Sequence, residues 1–285
     1  MSNGTMIVKR DGTKENLNID KIHFVVEEAC KNLAGVSSSQ IEMNANLQFY
    51  DGMTTEEIQQ ILIRSANDLI SLDVPNYQTA AARLLSYSVN KQVFGEYKAF
   101  PLQKIIDLNI ERKVYDPEFL NYYDADEIAK LDSFICHARD EYFTYAGMRQ
   151  VVDKYLCQDR SNNQLFETPQ VMYMMIAATL FAQYPKETRL QYVRRYYNAT
   201  SLFKINIPTP VMAGVRTPVR QFASCVLVDS DDTLDSIFAS DMAIGRYTAQ
   251  RAGIGINAGR IRGVNSRIRG GEVAHTGIVP FLKKF

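Results

Sequence analysis

Basic side chains near the N-terminus are the first candidates for binding a ligand. Lys9 and Arg10 lie in a short extended segment, and Lys21 falls at the start of a predicted helix. Lys91 lies near the end of a later helix. If the extended segment folds over the helices, these cations converge on one polyanion, as a triphosphate site requires. Their spacing suits ordinary surface lysines equally well, so spacing alone does not decide between the two interpretations.

Cys225 is the candidate for redox chemistry. It lies in the alternating segment SCVLVD, which predicts a β-strand with Cys225 and Leu227 on one face and Val226 and Val228 on the other. A lone cysteine in a strand is most often a small buried hydrophobe. The four cysteines are scattered without a CxxC pair, so the sequence indicates neither a disulfide scaffold nor a thiolate zinc site. We therefore expect no metal site and a reducing cytoplasmic environment.

The segment 258–272 is a third candidate because it contains four arginines and four glycines. Flexible backbone and guanidinium groups suit a loop over a phosphate, although a solvated basic loop has the same composition. The preceding glycines, from Gly253 to Gly259, are spaced GxGxxxG, one residue longer than the dinucleotide-binding fingerprint. Arginines rather than a helix follow them, and no second βαβ unit is evident. A NAD-linked enzyme is therefore disfavoured.

A hairpin and a set of helices must position the N-terminal cations. Asp11 and Gly12 form a turn pair that is typical of a β-hairpin. Asp20 is predicted to cap the helix that follows. The segment 54–57 fits a capping box at the start of a second helix, and another helix is predicted over 77–93, ended by a glycine. The sequence thus predicts a hairpin on a small helical bundle.

The rest of the chain is predicted to change from helical to mixed structure. Amphipathic helices rich in Tyr and Phe occupy 101–203, after which prolines and β-branched residues replace the helical periodicity. The strand at Cys225 precedes a helix from about Leu234 to Ala252. We therefore predict a mainly α fold with an α/β part. The predicted domains are 1–95, 96–204 and 205–285.

Composition excludes several classes of partner. The 285 residues contain 32 Lys+Arg and 32 Asp+Glu, so no global charge favours binding to nucleic acid or to a membrane surface. The longest apolar run, from Val171 to Ala182, is shorter than the roughly 20 residues of a spanning helix. The polar N-terminus has no signal-peptide h-region.

The segments IVKRDGTKENLNIDKI and DGMTTEEI, together with Lys91, resemble the ATP-cone, an allosteric module that binds ATP or dATP. The resemblance covers roughly residues 5–95. Gln59 departs from the pattern, because many reductase cones have a histidine there, and this bears on dATP inhibition. The resemblance implies that the nucleotide contacts are Lys9, Arg10, Glu15, Asn16, Leu17, Asn18, Ile19, Asp20, Lys21, Thr55 and Lys91.

The C-terminal motifs RQFASC, RAGIGINAGRIRG and IRGGE resemble the start of the catalytic barrel in the large (α) subunit of class I ribonucleotide reductases, of the class Ia type. In that family, the cysteine of RQFxSC is one of two thiols that reduce the substrate ribose, which implies a catalytic role for Cys225. The substrate-binding positions implied by the resemblance are Thr209, Ser224, Ala252 and Gly253. The positions implied for a deoxynucleotide effector that sets substrate choice are Asp232, Thr233, Leu234, Arg262 and Arg269.

The resemblance implies an ATP-cone, a helical domain and the first strands of an incomplete ten-stranded α/β barrel. Such a chain would reduce ribonucleoside diphosphates only with the C-terminal portion of α and with a small (β) subunit that carries a diiron-tyrosyl radical. Further implied partners are a second copy in an α2 dimer and thioredoxin or glutaredoxin. No covalently bound cofactor is expected.

Two origins fit an incomplete subunit: an artificial truncation or a naturally split subunit, as some bacteriophages encode, which would work in the host cytoplasm. An alternative function is a non-catalytic nucleotide-binding regulatory protein derived from a reductase. No reductase activity in any combination of chains, together with tight ATP binding by this chain alone, would favour that alternative.

Overall fold

The computed structural model describes residues 5–46, 48–250 and 252–284. These residues form two compact units, which divide between Asn206 and Ile207. Helices dominate the first unit, whereas the second combines short strands and helices. This agrees with the predicted fold class. The three-domain division at 95 and 204 stays a prediction.

Two hairpins and ten α-helices make up the described part of the first unit. The strands are β1 (Met6–Val8), β2 (Lys14–Asn16), β3 (Gln158–Asp159) and β4 (Gln164–Leu165). The helices are α1 (Ile19–Cys30), α2 (Ser38–Asn46), α3 (Thr55–Asp68), α4 (Tyr77–Phe94), α5 (Leu102–Glu111), α6 (Phe119–Tyr122), α7 (Ala125–Phe134), α8 (Tyr145–Gln150), α9 (Pro169–Leu180) and α10 (Lys186–Ser201). A 3₁₀ helix spans His137–Tyr142, and a π-helical turn, Val151–Tyr155, extends α8.

The predicted N-terminal hairpin is confirmed. β1 and β2 pair antiparallel, and Gly12 adopts φ +81°, which only glycine takes readily. The prediction that Asp20 caps α1 is wrong. Asn18 is the N-cap, and its side-chain oxygen accepts a hydrogen bond of 3.2 Å from the Lys21 amide. Asp20 lies in the first turn instead, where its charge favours the positive end of the helix dipole.

The capping box at the start of α3 is also confirmed. Glu57 accepts a 2.7 Å hydrogen bond from the Thr54 amide, and the Glu57 amide donates one of 3.1 Å to the Thr54 hydroxyl. The preceding helix α2 has no counterpart in the sequence prediction. Its apolar signal is weak because two residues, Ile41 and Ala45, form its buried side. It packs against α1 and α3 and completes the bundle.

Helix α4 lies at the centre of the first unit. It packs against α1 and α3 and also against α8 and β4. Three consecutive alanines, Ala80, Ala81 and Ala82, are fully buried, so neighbouring elements approach α4 closely on several sides. The helix ends at Gly95, which adopts the left-handed conformation (φ +73°) and donates its amide to the Lys91 carbonyl.

Buried polar networks tie the helices after α4 together. Arg189 on α10 pairs with Glu127 on α7, and both side chains are almost fully buried. In a second network, the Gln170 amide donates to Asp140 over 2.8 Å, and the Tyr197 hydroxyl donates to Gln170 over 2.7 Å. Burial raises the pKa of Asp140 to about 7.

A strand, a helix and a second strand form the centre of the second unit. Its elements are α11 (Thr209–Gly214), β5 (Cys225–Asp229), α12 (Leu234–Ala249), β6 (Gly253–Asn257), β7 (Arg267–Ile268), β8 (Val273–Ala274) and α13 (Val279–Lys284). β5 and β6 pair in parallel, with α12 as the crossover, so this is a βαβ unit. Within the described residues of this unit the strands form two separate pairs and no closed sheet, as expected for an incomplete barrel.

A small core fixes α12 on this sheet. Ile237 of α12 is buried together with Ala258 and Ile261, and Ile256 and Phe281 pack against them. Gly255 of β6 allows close strand contact, because a Cβ there would lie 2.8 Å from a methyl carbon of Leu227. None of the helices in the described ranges is both long and apolar enough to cross a membrane.

The raised pKa of Asp140 predicts an unusual dependence of stability on pH. The folded state holds this proton up to about pH 7, whereas an unfolded aspartate releases it near pH 4. The carboxyl group therefore stabilises the fold least above pH 7, and its contribution is lost as pH rises between these values. Asp140→Asn removes the titration, so the free energy of unfolding should fall less between pH 5 and pH 8 than in the wild type.

Urea unfolding of the two proteins at both pH values measures this difference. Glu141→Gln is the control, because Glu141 lies in the same 3₁₀ helix but is exposed. An Asp140→Asn protein with the wild-type pH dependence would contradict the assignment.

Candidate functional site

A cavity of about 810 Å³ lies in the first unit, among the β1–β2 hairpin, α1, α3 and α4. Most of the predicted nucleotide contacts line it. Those on its wall are Lys9, Arg10, Glu15, Leu17, Asn18, Asp20, Lys21, Thr55 and Lys91. The structure therefore brings together cations that lie more than 80 positions apart in the sequence.

Two predicted contacts, Asn16 and Ile19, do not line the cavity. Strand alternation explains the first, because Glu15 of β2 faces inward while its two neighbours are exposed. Ile19 is the first residue of α1, and 59% of its surface is exposed. Lys9 immediately follows β1 and Arg10 lies in the hairpin turn, so neither belongs to the strand proper.

Glu15 organises the charges in the cavity. Its carboxylate lies 2.6 Å from the Lys9 ammonium and 3.5 Å from the Lys21 ammonium. The hydrogen bond with Glu15 raises the pKa of Lys9, and the same contact lowers the pKa of Glu15. Lys9 and Glu15 are therefore both charged at neutral pH.

At the other side of the cavity, the Lys91 ammonium lies 4.5 Å from the centre of the Tyr97 ring. Tyr97 also meets Tyr87 edge to face, with 6.2 Å between the ring centres, and both tyrosines line the cavity. Burial raises the pKa of both phenols. Lys91 is thus held in place by an aromatic ring that the sequence analysis did not assign to the site.

Sequence reasoning missed most of the apolar wall of the cavity. Ile7, Ile22, Val25, Ile58 and Leu62 line it. Four of them belong to the inward faces of α1 and α3, so the helical period marked them as buried without indicating a cavity. The other lining residues that were not assigned are Asp11, Phe24, Gln59, Tyr87, Ser88, Gly95 and Tyr97.

Gln59 is held by α4. Its side-chain amide donates a 2.8 Å hydrogen bond to the Leu84 carbonyl, and Gln59 lines the cavity. The residue that departs from the ATP-cone pattern therefore lies on the cavity wall.

In the second unit, Cys225 begins β5 and is exposed. The predicted alternation holds: Cys225 and Leu227 are exposed, while Val226 and Val228 are partly covered. Gly253 of β6 pairs with Cys225 of β5, and a Cβ at Gly253 would lie 4.0 Å from the cysteine sulfur. The absence of a side chain there keeps one side of the thiol open.

The other predicted substrate positions lie in the same unit. The Ser224 carbonyl accepts a 2.8 Å hydrogen bond from the Gly253 amide, which fixes the start of the strand pair. Ala252 is buried, and Thr209 is exposed at the first turn of α11.

Four of the five predicted effector positions lie at the carboxyl ends of β5 and β6. Thr233 caps α12 through a 3.1 Å hydrogen bond from the Ser236 amide, and Leu234 follows it. Asp232 accepts hydrogen bonds from the Arg262 amide (2.9 Å) and from its guanidinium (2.7 Å), and these bonds lower the pKa of Asp232. An anion at this site would meet Arg262 already oriented by Asp232.

Arg269 lies apart from that pair, in the turn between β7 and β8, where it adopts φ +50°. The arginine-rich segment 258–272, interpreted from the sequence as a loop, is thus partly a short hairpin, whose strands pair Arg267 with Ala274. In the described ranges, no group of three or more His, Cys, Asp or Glu side chains has the arrangement of a metal site.

Comparison with known families gives three matches along the chain. Residues 5–92 match the ATP cone domain, residues 141–220 the all-alpha domain of ribonucleotide reductase, and residues 223–285 its barrel domain.

Individual relatives are similar over essentially the whole chain. The chain is 48% identical over 285 residues to ribonucleoside-diphosphate reductase 1 subunit alpha of Escherichia coli K12, and 49% identical over 285 residues to the subunit alpha of Haemophilus influenzae. Both alignments cover 100% of this chain and 38% of the relative. The subunit alpha of Enterobacteria phage T4 is 42% identical over 281 residues, which are 98% of this chain and 37% of that protein.

The chain therefore spans little more than a third of the length of these relatives. Its three domain matches follow one another in the order cone, all-alpha domain and barrel. With these matches and this similarity over its whole length, the chain belongs to the ribonucleotide reductase large-subunit family and is a partial α subunit that corresponds to the N-terminal part.

Proposed function

We propose that this chain provides the allosteric nucleotide sites and one substrate-reducing thiol of a ribonucleoside-diphosphate reductase. The complete enzyme converts ribonucleoside diphosphates to deoxyribonucleoside diphosphates for DNA synthesis. The observation that carries the proposal is the convergence of Lys9, Lys21 and Lys91 on one cavity within a domain that matches the ATP cone.

ATP or dATP is the proposed ligand of this cavity. A volume of about 810 Å³ falls within the range of about 300–1,000 Å³ that is typical of small-molecule sites. The cations suit the triphosphate, and the apolar wall that includes Ile22, Val25 and Ile58 suits a purine base. The Gln59 amide would meet the nucleotide where a histidine is common in related cones, so whether dATP inhibits depends on this residue.

Cys225 is the proposed reductant of the substrate ribose. Two thiols are oxidised to a disulfide while the bond from C2′ to its hydroxyl oxygen breaks, a C2′–H bond forms and the hydroxyl leaves as water. The second thiol and the radical that initiates the reaction would come from the rest of α and from the diiron small (β) subunit. Thioredoxin or glutaredoxin would then reduce the disulfide. Exposure of Cys225 beside Gly253 supports this role, with Thr209, Ser224 and Ala252 around the substrate.

A deoxynucleoside triphosphate is the proposed ligand at Asp232, Thr233, Leu234, Arg262 and Arg269. The helix that starts there, α12, exposes Leu234, Phe238 and Met242 at four-residue spacing, an apolar stripe that supports packing against a second copy in an α2 dimer. We place the enzyme in the cytoplasm, where Cys225 would remain available for thiol exchange.

A non-catalytic nucleotide-binding protein is the second candidate. The feature that favours it is the position of the nucleotide cavity wholly within the first unit, apart from Cys225. Binding of nucleotide alone does not separate the two functions, whereas reductase activity after complementation does.

The cavity predicts a charge-dependent ATP site. Lys9→Gln or Lys91→Gln removes a charge-assisted contact to phosphate, and ATP affinity of the whole chain should fall about tenfold or more. Isothermal titration calorimetry measures this. Lys14→Gln is the matched control, because Lys14 lies on β2 but faces away from the cavity. Equal losses in the control and in the Lys9 variant would contradict the site.

The role of Cys225 predicts an absolute requirement for its thiol. The chain, co-expressed with the remaining portion of a related α subunit and assayed with its small subunit, should reduce a ribonucleoside diphosphate. Cys225→Ser should lower this activity by at least about a thousandfold, since a hydroxyl cannot form the disulfide. Cys136→Ser is the control, because Cys136 is also exposed but lies in the first unit. Activity that survives in the Cys225 variant would contradict its role.

The effector cluster predicts a second, independent nucleotide site. Arg262→Gln should weaken binding of a deoxynucleoside triphosphate such as dTTP by about tenfold, while ATP binding at the cone stays unchanged. Arg260→Gln is the matched control, because Arg260 pairs with Asp229 at the same end of the sheet. Titration of both variants with dTTP and with ATP distinguishes the sites. A loss of dTTP binding in the Arg260 variant alone would overturn the assignment of Arg262.

A further inference from the structure

The lysines of the nucleotide cavity are already engaged by a carboxylate of the same chain. Glu15 contacts Lys9 at 2.6 Å and Lys21 at 3.5 Å. These are two of the cations that the proposed function assigns to the triphosphate. A phosphate oxygen and the Glu15 carboxylate require the same hydrogen-bond donors, so both cannot occupy them fully at once.

The backbone fixes Glu15 in this position. Glu15 pairs with Ile7 in the antiparallel register of β1 and β2, and Ile7 is 5% exposed. Paired residues of an antiparallel ladder project to the same face, so Glu15 is directed toward the cavity by the same alternation that buries Ile7. The fold therefore places the Glu15 carboxylate at the cavity.

The ion pair between Lys9 and Glu15 is one that a ligand can break. The side chains of Lys9 and Glu15 retain 41% and 31% exposure, so water and salt screen their attraction. A triphosphate carries several negative charges and offers many acceptor oxygens, whereas Glu15 offers one charge and two oxygens. The triphosphate can displace Glu15, but part of its binding free energy is used to do so.

We propose that Glu15 is an intramolecular competitor of the nucleotide triphosphate, which occupies Lys9 and Lys21 in the empty cone and lowers the affinity of the site for its effector. This inference rests on the proposed nucleotide site. Its consequence is regulatory, because the competitor shifts the effector concentration at which the cone fills to a higher value than the lysines alone would give.

The opposite role for Glu15 makes a different prediction. If the carboxylate contacts the ribose or base of the bound nucleotide, its removal weakens binding of every ligand that carries adenosine. If it competes with phosphate, its removal strengthens binding of phosphate-bearing ligands alone. The sign of the change therefore separates the two roles.

The test is calorimetric titration of the full chain, as wild type and as Glu15→Gln, with ATP, inorganic tripolyphosphate and adenosine. Competition predicts that Glu15→Gln binds ATP and tripolyphosphate about two- to fivefold more tightly, as expected for release of an exposed ion pair, and that adenosine binding does not change. Asp11→Asn is the matched control, because Asp11 also lines the cavity and lies in the same hairpin, but its carboxylate accepts hydrogen bonds from Thr13 and has no ion pair to a lysine among the described residues. Its effect should be smaller.

A double-mutant cycle with Lys9→Gln sharpens the result. If Glu15 competes for Lys9, the gain from Glu15→Gln should fall by at least half when Lys9 is already replaced. Circular dichroism of each variant verifies the helical fold. Weaker or unchanged ATP binding by Glu15→Gln, an equal gain in Asp11→Asn, or a gain independent of Lys9 would each overturn the inference. Failure of the wild type to bind ATP would instead overturn the proposed nucleotide site.

Discussion

Burial of helix α4 is the constraint on which the first unit depends. The helix packs against α1 and α3 of the cone and against α8 and β4 of the following helical region. Buried small residues, among them Ala80, Ala81 and Ser88, allow this close approach from several sides. The same helix presents Tyr87, Ser88 and Lys91 to the cavity. A change that shifts α4 would therefore move the proposed nucleotide site and the packing of the helical region together.

The two sides of the cavity differ in how firmly they are held: the helical side is rigid, whereas the hairpin side is attached by few contacts. α3 and α4 are fixed by apolar burial, whereas the hairpin is two strands of three residues, attached through one bridge from Val8 to Thr54 and hydrogen bonds to neighbouring backbone. Lys91 comes from the rigid side, and Lys9 and Glu15 come from the hairpin. A ligand that replaces the Lys9–Glu15 contact acts on the side of the cavity with the least buried surface, where the least free energy opposes a change.

Local chemistry made part of this fold predictable from the sequence. The Asp11-Gly12 turn, the Thr54–Glu57 capping box and the glycine after α4 each depend on residues within four positions of one another, and all three are present in the structure. The cap of α1 is a case that the sequence leaves ambiguous, because Asn18 and Asp20 are both residue types that suit an N-cap. The direction in which the chain leaves β2 decides that the helix begins after Asn18. The sequence does not indicate Tyr97 as a site residue, because its ring contacts the Lys91 ammonium only in the folded chain.

The parallel strand pair of the second unit has an uncovered face. Parallel strands are normally covered on both faces, yet β5 exposes Cys225 and 87% of the surface of Leu227 on one face. Leu227 meets Gly255 on the paired strand, so it gains little cover from its neighbour. The open face that leaves the thiol accessible is thus also an unfilled packing surface. The proposed substrate of Cys225 and any cover for Leu227 would therefore approach the same face of β5.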